Sequence, residues 1–263
     1  MEAELIRTER DLQETYWWFV GRRAILKSVL RRFVKRARVA VDIGCGSGKN
    51  MQLLAHHADF VIGLDPSSAA LESAAPHEGR TARADGQDIP LADSSVDLLS
   101  ALDVLEHMDD DLRALDEFHR VLRPDGFLLV TVPAYRFLWS EHDEALMHRR
   151  RYIASELHAK LNRSGFRVLQ RTYIVFFSFF PIVSYRLFRG FFPKDPFAPK
   201  ASHVMLPSLL NSFFIALLKC EAWMIRAINL PWGTSILVLA QKAPAATASR
   251  GSKSKLQSTN PSQ

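Results

Sequence analysis

An apolar, β-branched run that breaks into three alternate glycines restricts this chain more than any other feature. It reads Val39-Ala-Val-Asp-Ile43, then Gly44-Cys-Gly46-Ser-Gly48. A short continuous apolar run bounded by glycines is the pattern of a strand buried on both faces, the kind found in parallel sheets. Glycines at its exit let the backbone turn tightly and approach a ligand with no Cβ in the way. Two familiar glycine loops fail on spacing. A dinucleotide fingerprint needs its third glycine where this chain has Lys49. A phosphate loop ending in Gly48-Lys49 needs glycine at Ile43 and a hydroxyl at Asn50. What remains is a ligand loop of another kind or a bare turn. Asp42 before the loop can accept loop amides or face a cationic group.

Strand and helix signals alternate after this point. Strands are predicted over 39–43, 60–64, 81–84, 95–101, 127–132, 166–174 and 235–241. Helices are predicted over 47–57, from Pro66-Ser-Ser onward, over 109–122 with its stop at Pro124 and Gly126, and over 155–163. This is an α/β chain whose sheet is mostly parallel and covered by helices on both faces. Four segments follow: an aromatic and basic N-terminal helical lid (1–38), the α/β core (39–174 plus 235–243), an apolar helical insertion before the last strand (175–234), and a tail (244–263) of Ala, Ser, Thr, Lys and Pro expected to be disordered.

The net charge of +6 is less informative than its placement. Eight basic residues and no acid lie between 22 and 38, whereas Arg113 is the only base among the many acids of 85–117. An acidic pocket suits a cationic ligand. Cys45 and Cys220 form no disulfide or metal pattern, and the opening residues lack a secretory core, so a cytoplasmic setting is expected.

The strand-loop-helix resembles motif I of class I S-adenosylmethionine-dependent methyltransferases. The likeness continues through Gly63-Leu-Asp65-Pro66-Ser, Ala84-Asp85-Gly86-Gln-Asp-Ile-Pro-Leu91, Val96-Asp-Leu-Leu-Ser-Ala-Leu-Asp103-Val-Leu105-Glu-His107 and Arg120-Val-Leu-Arg-Pro-Asp-Gly-Phe127. These motifs are similar, in order, to those of the type 11 (ubiquinone/menaquinone biosynthesis-like) group. The resemblance implies a Rossmann-like, seven-stranded fold and S-adenosyl-L-methionine as cofactor. It places Asp42, Gly44, Cys45, Gly46, Gly48, Asp65, Pro66, Asp85, Gly86, Asp103 and Leu105 around that cofactor. Asp65 ends the second strand, where a carboxylate can accept two ribose hydroxyl protons, although it could also cap the next helix. Asp85 resembles the acid that takes the adenine amino group. Leu105 reads equally well as core.

Methyl transfer from a sulfonium is an in-line displacement that needs alignment and a water-poor pocket; a base is needed only for a protonated nucleophile. Candidates for that base are His107 and, after the fifth strand, His142 with Asp143, and His148. Arg149 to Arg151 can bind an anionic acceptor group or pair with nearby acids. The stretch from Ser140 to Tyr152 resembles one found in a subset of the same group. No metal is expected, since His142, Asp143 and His148 have irregular ligand spacing.

The insertion is rich in Phe and Leu, but its apolar runs are too short or too interrupted by charge to span a bilayer. It can cap the site or touch lipid peripherally, which would suit a polyprenyl, quinone or glycolipid acceptor. The expected function is O- or C-methylation of a small-molecule or lipid-linked acceptor. A non-catalytic cofactor-binding module beside a membrane and an RNA methyltransferase are the alternatives. No nucleic-acid motif accompanies the basic helix, so nucleic acid is not the favoured partner.

Overall fold

The computed structural model describes residues 12–73, 80–188 and 206–243. The tail expected to be disordered and part of the insertion lie outside these residues. Seven strands form one sheet: β1 (Ala37–Ile43), β2 (Ala58–Asp65), β3 (Arg80–Arg83), β4 (Val96–Leu102), β5 (Leu122–Pro133), β6 (Phe166–Ile174) and β7 (Ser235–Lys242). Their order is β3-β2-β1-β4-β5-β7-β6. Strands β1 to β5 pair in parallel, and β7 runs antiparallel between β5 and β6. This is the mostly parallel, Rossmann-like sheet expected from the sequence. The order reverses between β1 and β4, and the crevice at the C-terminal ends of such a strand pair is where open α/β sheets bind ligands.

Period-2 alternation sorts the strand side chains into two cores. Val41, Ile43, Leu99, Ala101, Leu128, Val130 and Val238 face one side. They meet Leu115, Phe118 and Val121 of one helix (Asp111–Val121) and Leu157 and Leu161 of another (Ala154–Arg163). Ala40, Leu98, Leu102, Leu129, Leu237 and Leu239 face the other side, under helices Trp17–Phe33, Lys49–Ala55 and Ser208–Met224. We number the helices in chain order: α1 (Trp17–Phe33), α2 (Lys49–Ala55), α3 (Ser68–Ser73), α4 (Asp111–Val121), α5 (Glu141–Ala145), α6 (Ala154–Arg163), α7 (Phe179–Phe188) and α8 (Ser208–Met224).

One boundary departs from the sequence reading. Pro124 and Gly126 were expected to separate helix from strand, yet β5 begins at Leu122 and runs through both. The register against β4 shifts between Val96 and Leu98, and Asp125 takes a positive φ of 63°. A bulge of this kind tolerates a proline that has no N–H to give.

The apolar insertion returns its second helix to the N-terminal one. The Trp17 amide donates to Asn211 Oδ1 (2.9 Å), Ser28 Oγ donates to the Ala222 carbonyl (2.6 Å), and the rings of Trp17 and Phe214 lie 5.1 Å apart. Gly21 permits the close approach: a Cβ there would sit 2.2 Å from Leu218 Cδ1. Gly21→Ala is expected to destabilise by overpacking, which costs about 1–3 kcal/mol, partly offset by better helix propensity. In a double-mutant cycle with Leu218→Ala, urea unfolding should show favourable coupling of about 1 kcal/mol or more. Strict additivity would mean that the helices do not meet at this pair.

Candidate active site

All three loop glycines have positive φ (67°, 52° and 80° at Gly44, Gly46 and Gly48), a conformation that side chains other than glycine rarely adopt. A Cβ on Gly44 would strike Val104 Cγ2 at 2.6 Å, whereas Gly46 faces open space. The open side of the loop is therefore at Gly46. Asp65 holds it there: Oδ2 accepts the Gly46 amide (3.0 Å) and Oδ1 accepts the Ser67 amide (2.8 Å). Ser67, not Asp65, caps α3, its hydroxyl accepting the Ala70 amide. Just ahead of α1, Gln13 bonds the Ser47 hydroxyl and Glu14 pairs with Lys49.

Asp42 is almost fully buried. Its Oδ1 accepts the Ser100 hydroxyl (2.6 Å), while Oδ2 has no hydrogen-bond partner. Burial pushes this carboxyl up to about 7, against the opposing pull of Ser100 and Arg22. An unmatched buried acceptor is costly, and a cationic group brought to it would relieve that cost. Cys45 contributes its backbone to the loop but buries its thiol against Gly63, where burial pushes it up to about 12. It is a packing residue, not a reactive one.

At the exit of β4, Asp103 takes φ 57° and accepts a hydrogen bond from Thr131 Oγ1 (3.0 Å). Arg22 of α1, itself buried, reaches the same point. Its Nη2 lies 3.0 Å from Asp103 Oδ2 and donates to Thr131 Oγ1 (2.7 Å), with the guanidinium 4.8 Å from the centre of the Trp18 ring. The sequence marks Arg22 only as one charge of a basic helix that opens on aromatics and two arginines, and it gives no signal that Arg22 meets Asp103 and Thr131. Asp85 lies beyond β3 and accepts the Gln87 amide. Gly86 has no room for a Cβ, which would meet Met108 at 2.6 Å. Pro66 is exposed at the end of β2, its carbonyl taking a hydrogen bond from Arg83. Leu105 does not belong with these residues: it is wholly buried in the core, with no face toward the crevice.

The segment after β5 holds a buried charge network. Asp143 has no exposed surface. Arg151 grips both its oxygens (2.7 and 3.0 Å), His148 Nδ1 lies 3.0 Å from Oδ1, and the Ser140 amide donates to Oδ2. Burial alone would raise this carboxyl, but the hydrogen bonds from His148 and Arg151 prevail and hold it far below the usual range. A carboxylate so occupied is no proton acceptor for a substrate, so Asp143 orients His148 and does not act on a substrate itself, contrary to the expectation from the sequence. Arg149 and Arg150 spend their guanidinium groups on Asp109, Asp111 and the carbonyls of 107–109. Their pairing with neighbours is the reading of the two that the contacts favour. His142 is half-buried in α5. His107 and His148 meet edge to face with ring centres 4.8 Å apart, and burial, followed by His148, lowers the His107 pKa.

A family model described as a methyltransferase domain matches residues 41–130. A Mycolicibacterium smegmatis protein named "probable S-adenosylmethionine-dependent methyltransferase" is 32% identical over 166 residues, 62% of this chain and 64% of the relative. The O-methyltransferase rstn1 of Aspergillus nomiae is 32% identical over 153 residues, 52% of this chain and 68% of its own. The chain thus spans less than two thirds of the first of these relatives. Among solved structures, the Haloferax volcanii chain in complex with the Trm112 methyltransferase activator superposes with a TM-score of 0.59 at 19% identity, over 90% of this chain and 94% of that one.

The Asp143 network gives a direct stability test. Asp143→Ala leaves the buried Arg151 unpaired and is expected to cost about 3–5 kcal/mol in denaturant unfolding. Asp143→Asn should cost less, since it keeps the side-chain shape and one acceptor oxygen, although its amide NH2 then faces the donors of Arg151 or Ser140. A loss below about 1 kcal/mol for the alanine variant would show that the network is not closed in solution.

Proposed function

This chain belongs to the S-adenosylmethionine-dependent methyltransferase family, and we propose that it methylates an oxygen of a small or lipid-linked acceptor while resting on an anionic membrane surface. The observation that carries the donor half is the unpartnered Oδ2 of Asp42 beside the glycine loop. In this reading it receives the donor's ammonium, Asp65 the ribose hydroxyls and Asp85 the adenine amino group. The acceptor hydroxyl would give up its proton to water or a neighbouring histidine, and its oxygen would attack the methyl carbon in line as the carbon–sulfur bond breaks, so that the donor would leave as a neutral thioether. Positive charge disappears in that step, so a site that excludes water favours it.

The acceptor half rests on α8 and its surroundings. Leu209, Phe213 and Trp223 recur along one face of this helix and are 83, 55 and 70% exposed. Phe180 and Phe188 of α7 and Ile228 beyond α8 are exposed as well. Beside Trp223 lies a groove edged by Lys27, Arg31, Arg32 and Arg226. Apolar anchors flanked by cations are the pattern of interfacial binding. Among the described residues, no helix is long and apolar enough to cross a membrane.

Three outcomes are expected. Calorimetric affinity for S-adenosylhomocysteine should fall on acidification below pH 7, approaching tenfold per unit, because the proton that burial keeps on Asp42 must leave before the ammonium binds. Asp42→Asn should bind weakly at every pH. A flat wild-type profile would remove Asp42 from the donor site. Vesicles containing phosphatidylserine should co-sediment the protein, and Phe213→Ser with Trp223→Ser should reduce the bound fraction several-fold; equal binding by the double variant rejects the membrane face. Finally, labelled donor mixed with lipid, soluble and RNA extracts should mark the lipid fraction. Label in RNA alone would overturn the acceptor class.

A further inference from the structure

We propose that Glu106, His107 and His148 form a binding site for a divalent transition-metal cation at the C-terminal edge of the sheet. One ligand atom from each lies within 4.8 Å of the others. The three come from two loops that the fold ties together. The Arg149 amide donates to the Glu106 carbonyl (2.8 Å), Arg149 Nε to the His107 carbonyl (3.0 Å) and the Tyr152 hydroxyl to the Leu105 carbonyl (3.1 Å).

Glu106 is the independent observation that points to a ligand. It has no exposed surface, and neither carboxylate oxygen has a hydrogen-bond partner. Buried carboxylates are ordinarily paired, hydrogen-bonded or metal-bound, so a bare one asks for an explanation. His148 is prepared in the way metal ligands usually are. It directs Nδ1 at Asp143, which Arg151 fixes in turn, leaving Nε2 for an ion. The His107 ring lies against the His148 ring, edge to face. The carboxylate behind the His148 imidazole sets its tautomer and raises its basicity toward a metal.

The donor set selects the ion. Two imidazoles and one carboxylate suit zinc, manganese or iron, whereas magnesium and calcium prefer oxygen throughout. Ligand bonds of about 2.0–2.2 Å in tetrahedral geometry put neighbouring ligand atoms roughly 3.4 Å apart. The side chains must therefore close by up to about 1.4 Å from the observed spacing. His107, the most exposed of the three, can supply much of that movement by rotation of its side chain. Three protein ligands leave a position open to solvent or to a hydroxyl. If the methyl-transfer reading above holds, on which this last step rests, an acceptor hydroxyl bound there would lose its proton to water near neutral pH and become the attacking oxygen.

The test uses the full chain stripped with a chelator and titrated with Zn2+ and, separately, with Mg2+, in the absence of any methyl donor. We expect a single zinc per chain by calorimetry and by elemental analysis, with Mg2+ far weaker. His148→Ala and Glu106→Gln should each weaken zinc at least tenfold, and Asp143→Asn by about 10–100-fold through loss of support. Should Glu106→Gln fold poorly, Co2+ supplies a second readout: His148→Ala should abolish the visible absorption of a four- or five-coordinate site. Absence of zinc binding, or equal affinity in wild type and His148→Ala, overturns the proposal. Because donor-free binding is measured, failure of methyl transfer leaves the metal site standing. Methylation that survives chelation removes only the role of the ion in activating the acceptor.

Discussion

A buried guanidinium organises this molecule. Arg22 leaves α1, crosses to the ends of β4 and β5, and joins Asp103 and Thr131. Its charge also bears on the buried carboxyls of Asp42 and Glu106. Without it, several acids would converge on one edge of the sheet with little to offset their repulsion, and a lone buried charge is costly. The N-terminal helix is thus a part of the crevice as well as a cover for the sheet. Its glycine, pressed on Leu218, then fixes where α8 must run.

That chain of contacts explains a conflict visible in α8. The helix is apolar on nearly every side, which ordinarily means complete burial. Here Leu218, Ala222 and Ile225 fill the core while Leu209, Phe213 and Trp223 face outward. A helix that must dock on α1 through one stripe has a second stripe left over. The segment therefore covers the domain with one stripe and presents an apolar surface with the other.

On the opposite side of the crevice, order comes from polar pairing. Asp143 is held by Arg151, Ser140 and His148, and the neighbouring arginines fasten residues 105–109 to residues 148–152. Two loops more than forty residues apart in sequence are thereby locked in register. Low dielectric strengthens such bonds once they are complete and penalises any that are missing.

The local pattern was enough to determine the sheet, its parallel sense, the glycine turn and the acids at strand ends, because period, glycine spacing and strand-exit position are local properties. The positions of Asp42, Asp65 and Gly46 at strand ends and in the loop were legible for that reason. Asp143, Leu105 and Glu106 were not. Whether a carboxylate is free or gripped, or a leucine faces core or crevice, depends on partners distant in the chain. The glycine loop determined what kind of ligand this fold holds. Only the tertiary structure decided that Arg22 would serve the acids around it, that Asp143 would support His148, and that Glu106 would be left bare beside two histidines, since those outcomes are set by packing between segments that the sequence lists far apart.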